Sequence, residues 1–276
     1  MSLSDNSGNS TYHSFQAHIV KRFSQGATGQ FSYTFSKALS DNGSIRDQRN
    51  LGLSKTLSNF DRTHVIASNF TYDLPFGPNR TFFANAPGWA QRIIEDWQIA
   101  TITSWNAGSP LSFSVTGRGT VYNRAMNTAD QVGPLQKGNV VKGSGFVQYF
   151  ENLKTQAAPQ PDFGGDPTLP GVFSNQIVVN SSGQTVLQDP APGKIGNTAL
   201  NSATIKGPGQ LGFNAAITKS VRISEGKTFT LRADAVNVLN KPQWGNPNMD
   251  INGTTFGRIT TATGNRMVTL NARLDF

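Results

Sequence analysis

The chain contains no cysteine, which excludes disulfide frameworks, thiolate metal sites and thiol catalysis together. It is also poor in charge. Asp, Glu, Lys and Arg make up 14% of residues, against roughly 25% in an average soluble domain. No run approaches the ~20 consecutive apolar residues of a membrane-spanning helix. The polar start MSLSDNSGNSTYHSF has neither the basic region nor the apolar stretch of a secretory leader. Helical spacing is scarce as well, because apolar residues recur at every second position more often than at every third or fourth. What is present is a chain of 276 residues with 28 Gly, 14 Pro, 18 Phe and a net charge of +8. The length admits one large domain or two, and the positive balance permits an anionic partner without locating it.

Alternation is the dominant signal. Over 14–23, Phe15, Ala17, Ile19 and Phe23 share one face, against Gln16, His18, Val20 and Arg22. After the turn SQGATG, Phe31, Tyr33 and Phe35 oppose Ser32, Thr34 and Ser36 over 30–37. A polar loop over 38–63 follows, then a strand over 64–74 with Ile66, Phe70, Tyr72 and Leu74 opposite Asn69, Thr71 and Asp73. The segment LPFGPN ends it, since proline cannot donate to a ladder. Residues 97–115 predict one long strand kinked at AGSP, with Trp97, Ile99 and Trp105 on one face and alternation resuming at Leu111, Phe113 and Val115. The stretch 116–209 predicts a long loop, too long to be structureless in a compact domain unless it is functional or disordered. Strands return at Leu211, Phe213, Ala215, Ile217 and Val221, then, after ISEGK, at Phe229, Leu231, Ala233 and Ala235. A last polar loop over 239–265 leads to Val268, Leu270, Ala272, Leu274 and Phe276, alternating with Met267, Thr269, Asn271, Arg273 and Asp275.

Two solvents explain such faces: the core of a soluble sandwich, or lipid outside a barrel. The rings favour lipid. Phe15, Phe23, Phe31, Trp97, Trp105, Phe229 and Phe276 stand towards strand ends with plainer residues between, as girdles at two membrane interfaces require. Arg22, Asp73, Arg232, Asp234, Arg273 and Asp275 alternate with apolar residues inside strands, where they would line a lumen or face a plug. Connections alternate short (24–29, 222–227) and long (38–63, 116–209, 239–265), the outer-membrane habit. The interval 75–95 does not fit that alternation. About seven strands ending on the short-turn side put the first strand's start on the long-loop side, whereas a closed single-chain barrel has an even number. Parity therefore predicts that Met1 lies within an outer loop of a longer barrel; splitting 97–115 in two would give a closed eight-stranded one instead.

The segments STYHSFQAHIVKRFSQG, FSYTFSKAL, SNFDRTHVIASNFTYDLPFG, DWQIATITSWNAGSPLSFSV, AVNVLNKPQWGNP and FGRITTATGNRMVTLNARLDF, in that order, resemble the C-terminal barrel of TonB-dependent outer-membrane receptors of the Oar-like type. The resemblance implies an all-β antiparallel transmembrane barrel segment of residues 1–276, the C-terminal part of a 22-stranded barrel. Its plug domain and TonB-contacting box are not in this sequence. It also implies a bacterial outer-membrane location and non-enzymatic transport of an unspecified substrate through a plug-gated lumen. A terminal strand of Val268, Leu270, Ala272, Leu274 and Phe276 would be read by the barrel-assembly machinery. The partners implied are outer-membrane lipid and lipopolysaccharide, with TonB reached only through the absent N-terminal parts.

Site chemistry is sparse. Gly207, Gly209 and Gly212 match a dinucleotide-loop spacing, but Pro208 and the alternation that follows remove the helix N-terminus that a phosphate needs. His13, His18 and His64 are scattered, and Asp61 near His64 lacks a serine elbow. Asp41, Asp47 and Asp61 lack a calcium-loop spacing. No cofactor, metal or nucleic acid is expected, and Arg46, Arg49 and Arg62 of the first long loop predict contact with lipopolysaccharide or solvent. Two rivals are an eight-stranded barrel acting as adhesin or anchor, and a soluble sandwich binding glycans through Trp89, Trp97, Trp105 or Trp244.

Overall fold

The computed structural model describes residues 8–23, 26–41, 46–47, 50–115, 128–159, 176–191 and 194–276. Seven long strands form one antiparallel path in which each pairs with the next: β1 (Ser10–Arg22), β2 (Ala27–Ser40), β3 (His64–Asp73), β4 (Trp97–Asn106), β5 (Gln210–Ser224), β6 (Lys227–Val236) and β7 (Met267–Asp275). A two-residue strand, Thr56–Leu57, pairs with the end of β2 beside this path. The meander is open, because among the described residues the outer edges of β1 and β7 carry no ladder. Strands of nine or more residues at a rise of about 3.3 Å are long enough, when tilted, to cross a hydrocarbon core.

Register turns the alternation into two continuous faces. Ala17, Tyr33, Ile66, Trp105 and Leu211 are cross-strand partners in one row from β1 to β5. Tyr72, Ile99, Ile217, Ala233 and Leu270 make a second row from β3 to β7 on that same face. One residue along, Arg22, Thr28, Thr71, Ala100, Ala216, Asp234 and Thr269 cross all seven strands on the opposite face. Since the side-chain period is two, these pairings put every apolar set on one side. Apart from the end near Lys219, where the 75–95 connection packs, that side is largely uncovered: Leu270 is 72% exposed and Phe276 93%. A soluble sandwich would bury those rings and branches against a second sheet.

Two turns at the β1/β2 and β5/β6 ends are tight. At the second, Gly226 takes φ 78°, and the register shifts between Arg222 and Ser224. Glycine absorbs the left-handed residue that such a bulged turn needs.

At the other end of the strands, the three long connections fold together. Residues 97–115 do not form the single kinked strand that their alternation predicts. The strand leaves the sheet at Asn106, and Leu111, Phe113 and Val115 are buried in a separate apolar core. Their alternation reflects that core, not a continued or split barrel strand. The neck is a close backbone approach: Leu111 donates to Ile205 O at 3.0 Å and Gly207 to Ser109 O at 2.8 Å. A Cβ on Gly108 would collide with the Gly207 carbonyl. Beyond the neck, the 116–209 connection holds a four-stranded antiparallel sheet in the order Asp130–Gln131, Thr185–Gln188, Gln176–Asn180, Leu153–Ala157. The described parts of that connection are thus folded. A three-stranded sheet joins Arg258–Ile259 of the last connection to Val147–Gln148 and Val141–Lys142. In the shared core Phe150 and Phe256 stack at 5.9 Å, and Phe113 packs tilted against them at 6.0 and 6.3 Å.

Residues 75–95, which alternation could not explain, form a connection of intermediate length with a helix, α1 (Gly88–Ile94), at the tight-turn end.

Candidate functional site

The polar face gathers the six charged residues singled out from sequence. Asp73, Gln98, Thr218, Arg232 and Asn271 are successive cross-strand partners in one row. Gln98 donates to Asp73 at 2.8 Å. Arg232 grips Asp234 two positions on, with Nε and Nη2 contacts of 2.7–3.0 Å, and Asn271 reaches the same carboxylate at 3.2 Å from β7. Arg273 and Asp275 repeat that arrangement, with Nε to Oδ1 at 2.7 Å. Arg22 stands at the turn end of β1, opposite Thr28. Side chains two apart on a strand share a face, so both Arg–Asp pairs form without any contribution from the loops. Exposed pairs of this kind contribute little stability, because solvent screens them. Their significance is a hydrogen-bonding face bearing both signs of charge.

On the apolar face, the proposed assembly residues Val268, Leu270, Ala272 and Leu274 all lie on β7 opposite Ala235, Ala233, Leu231 and Phe229, with Phe276 just beyond the strand. Towards the long-loop end His64 is wedged among rings. It stacks on Tyr33 at 6.1 Å and Trp105 at 6.5 Å, and its Nδ1 meets the Tyr33 hydroxyl at 2.9 Å. His18 instead faces Ser32 across the polar side at 2.7 Å. The histidines are therefore not gathered, and among the described residues no group of three His, Asp or Glu could hold a metal.

The first long connection is tied to the loop core by residues that periodicity did not identify. Arg46, expected at the surface, is 8% exposed. Its guanidinium donates to Thr128 Oγ1 and Gly196 O at 2.7 Å each and to Thr198 O at 3.1 Å. Burial lowers its pKa from the ordinary guanidinium value. Asp61 is buried and accepts the Ala38 N–H at 2.8 Å, while Lys206 approaches it at 3.5 Å and donates to Thr63 Oγ1. Asn201 Nδ2 donates to Leu57 O at 2.7 Å. Asp61 therefore serves as an anchor, with no triad around it. Arg62 is half-buried and donates to Asp61 O, and Arg49 lies outside the described residues. Tyr149 donates to Lys206 O at 2.6 Å from inside the core, and burial raises its phenol pKa. A single Arg in a polar loop carries no periodic signal, so Arg46 could be found only from the fold.

The four tryptophans do not form a common platform. Trp97 and Trp105 belong to the apolar face, Trp89 to α1, and Trp244 packs on the loop core. Gly207 and Gly209 serve the neck, where Gly209 approaches Asn106 O closely.

A family model described as "Outer membrane beta barrel domain" matches residues 1–269. No curated protein and no solved structure matches the chain.

Proposed function

Because the chain belongs to the outer membrane β-barrel domain family and so resides in the bacterial outer membrane, we propose that it is the C-terminal wall of a larger, non-enzymatic, TonB-dependent transporter of the Oar-like type. The observation that carries this reading is the open seven-stranded meander. One face is apolar across every strand and largely uncovered, the other is polar and ion-paired, and both outer edges lack a ladder among the described residues. An unpaired edge facing hydrocarbon costs several kcal/mol per polar group, so the edges of β1 and β7 call for further strands. In the proposed 22-stranded barrel those strands, with the plug, precede residue 1. The polar face with Arg22, Asp73, Arg232, Asp234, Arg273 and Asp275 then faces lumen and plug. The folded layer of long connections stands outside, where it meets substrate and lipopolysaccharide. TonB would act through the plug portion, and β7 with Phe276 would present the assembly signal. Substrate is left as a solute recognised by the outer layer.

The test is the size and dependence of the protein in its native membrane. An antibody to the 267–276 segment should detect an outer-membrane polypeptide far larger than 29.7 kDa, and solute uptake through it should require TonB. A heat-modifiable species of 29.7 kDa, indifferent to TonB, would replace this reading with the small closed barrel.

A further inference from the structure

The connection over 74–96 exposes an apolar ridge. In α1, Trp89 and Ile93, four residues apart on one face, are exposed, Trp89 to 71%, while Ala90, Gln91 and Ile94 are turned inward. Phe82 and Phe83, just before the helix, are exposed as well, and both pack edge-on against Phe76 at 6.2 and 5.9 Å. A surface helix in water keeps its largest apolar groups turned inward. The ridge is continuous with the apolar face of the sheet. Ile93 O accepts the Trp97 indole N–H at 2.9 Å, and Trp97 opposes Lys219 on that face. The Lys219 ammonium sits 5.9 Å over the Trp97 ring and donates to Glu95 O, pinning the end of α1 to β5. Exposed Arg80 and Arg92 flank the ridge. Its backbone is satisfied locally, as Gln91 N–H donates to Pro87 O at 3.0 Å and Phe82 N–H to Pro75 O at 3.0 Å.

We propose that this connection is a lipid-binding anchor lying in the headgroup zone of the periplasmic leaflet. Trp89, Ile93, Phe82 and Phe83 enter the acyl boundary, and Arg80 and Arg92 meet phospholipid phosphates. Aromatic and aliphatic groups flanked by arginine suit that zone, where an amphipathic helix lies with its apolar face buried ~5–10 Å. The inference rests on the reading that the apolar face of the sheet meets lipid with its tight turns towards the periplasm.

The absence of cysteine makes the test direct. Spin labels are placed singly on the complete polypeptide as it occurs in the native outer membrane, at Trp89→Cys, Ile93→Cys, Leu270→Cys and Glu225→Cys, reconstituted in vesicles of phosphatidylethanolamine and phosphatidylglycerol. Labels at 89 and 93 should be relaxed more by oxygen than by an aqueous nickel complex, less deeply than 270, with 225 aqueous. If 89 and 93 behave like 225 while 270 reads as lipid-buried, the anchor is refuted and the lipid-facing sheet survives. If 270 is aqueous too, both fail. Spin–spin broadening at 89 that vanishes on dilution with unlabelled chain assigns the ridge to a second copy and also refutes the anchor. Trp89→Phe guards against misfolded cysteine variants: it should remove the part of tryptophan quenching caused by lipids brominated near the glycerol end of their chains. Unchanged quenching would overturn the proposal.

Discussion

At the residue scale, the polar loops hide the most consequential group. Arg46 satisfies three acceptors from the 128–198 region with one guanidinium. Hydrogen bonds to a charged donor contribute more than neutral ones, but burying the charge offsets part of that gain. Arg46→Met, which keeps the stem and removes the donors, should cost the outer layer about 2 kcal/mol. The measurable result is amide exchange: the Thr198 N–H, bonded to Ala129 O at 3.2 Å, should exchange about 30-fold faster, while amides in β6 are unchanged. Equal acceleration in β6 would mean that the arginine serves the whole chain. The alternating Arg232, Asp234, Arg273 and Asp275 were, by contrast, legible without a fold, because a two-residue offset on a strand fixes their shared face.

At the element scale, the seven strands follow their patterns closely, with ends that differ by a few residues. β2 runs to Ser40 and β1 starts at Ser10 because polar Ser and Thr continue the ladder without advertising it in hydropathy. The error at 97–115 has a different cause. Period two is shared by a strand facing lipid and by an extended segment buried under loops, so Leu111, Phe113 and Val115 read alike in either setting. The two faces of β7 separate in one comparison. Leu270→Arg places a charge on the exposed apolar face and should destabilise folding into vesicles by about 2–4 kcal/mol. Asn271→Arg, one position along and beside Asp234, should change the urea midpoint little. Equal losses at both positions would reject lipid contact for the apolar side.

At the scale of the whole molecule, two layers differ in what they bury. The sheet has a largely uncovered apolar face, whereas the long connections own a core to which no residue of the seven strands contributes. Phe113 is 2% exposed within that core. Phe113→Ala should cost about 3–5 kcal/mol there, opening the outer layer to protease while the strand signal in circular dichroism persists. Loss of both together would make the layers one cooperative unit. The sequence by itself determined the all-β class, the strand faces, the side bearing long connections and the charged row, because a period of two is a local property that survives without tertiary contacts. Only the tertiary structure decided that the long connections form a shared core, that Arg46 is buried, and that 75–95 turns Phe82, Phe83 and the helical Trp89 outward. Those outcomes depend on segments far apart in the chain meeting, and hydropathy over any one window contains no term for that.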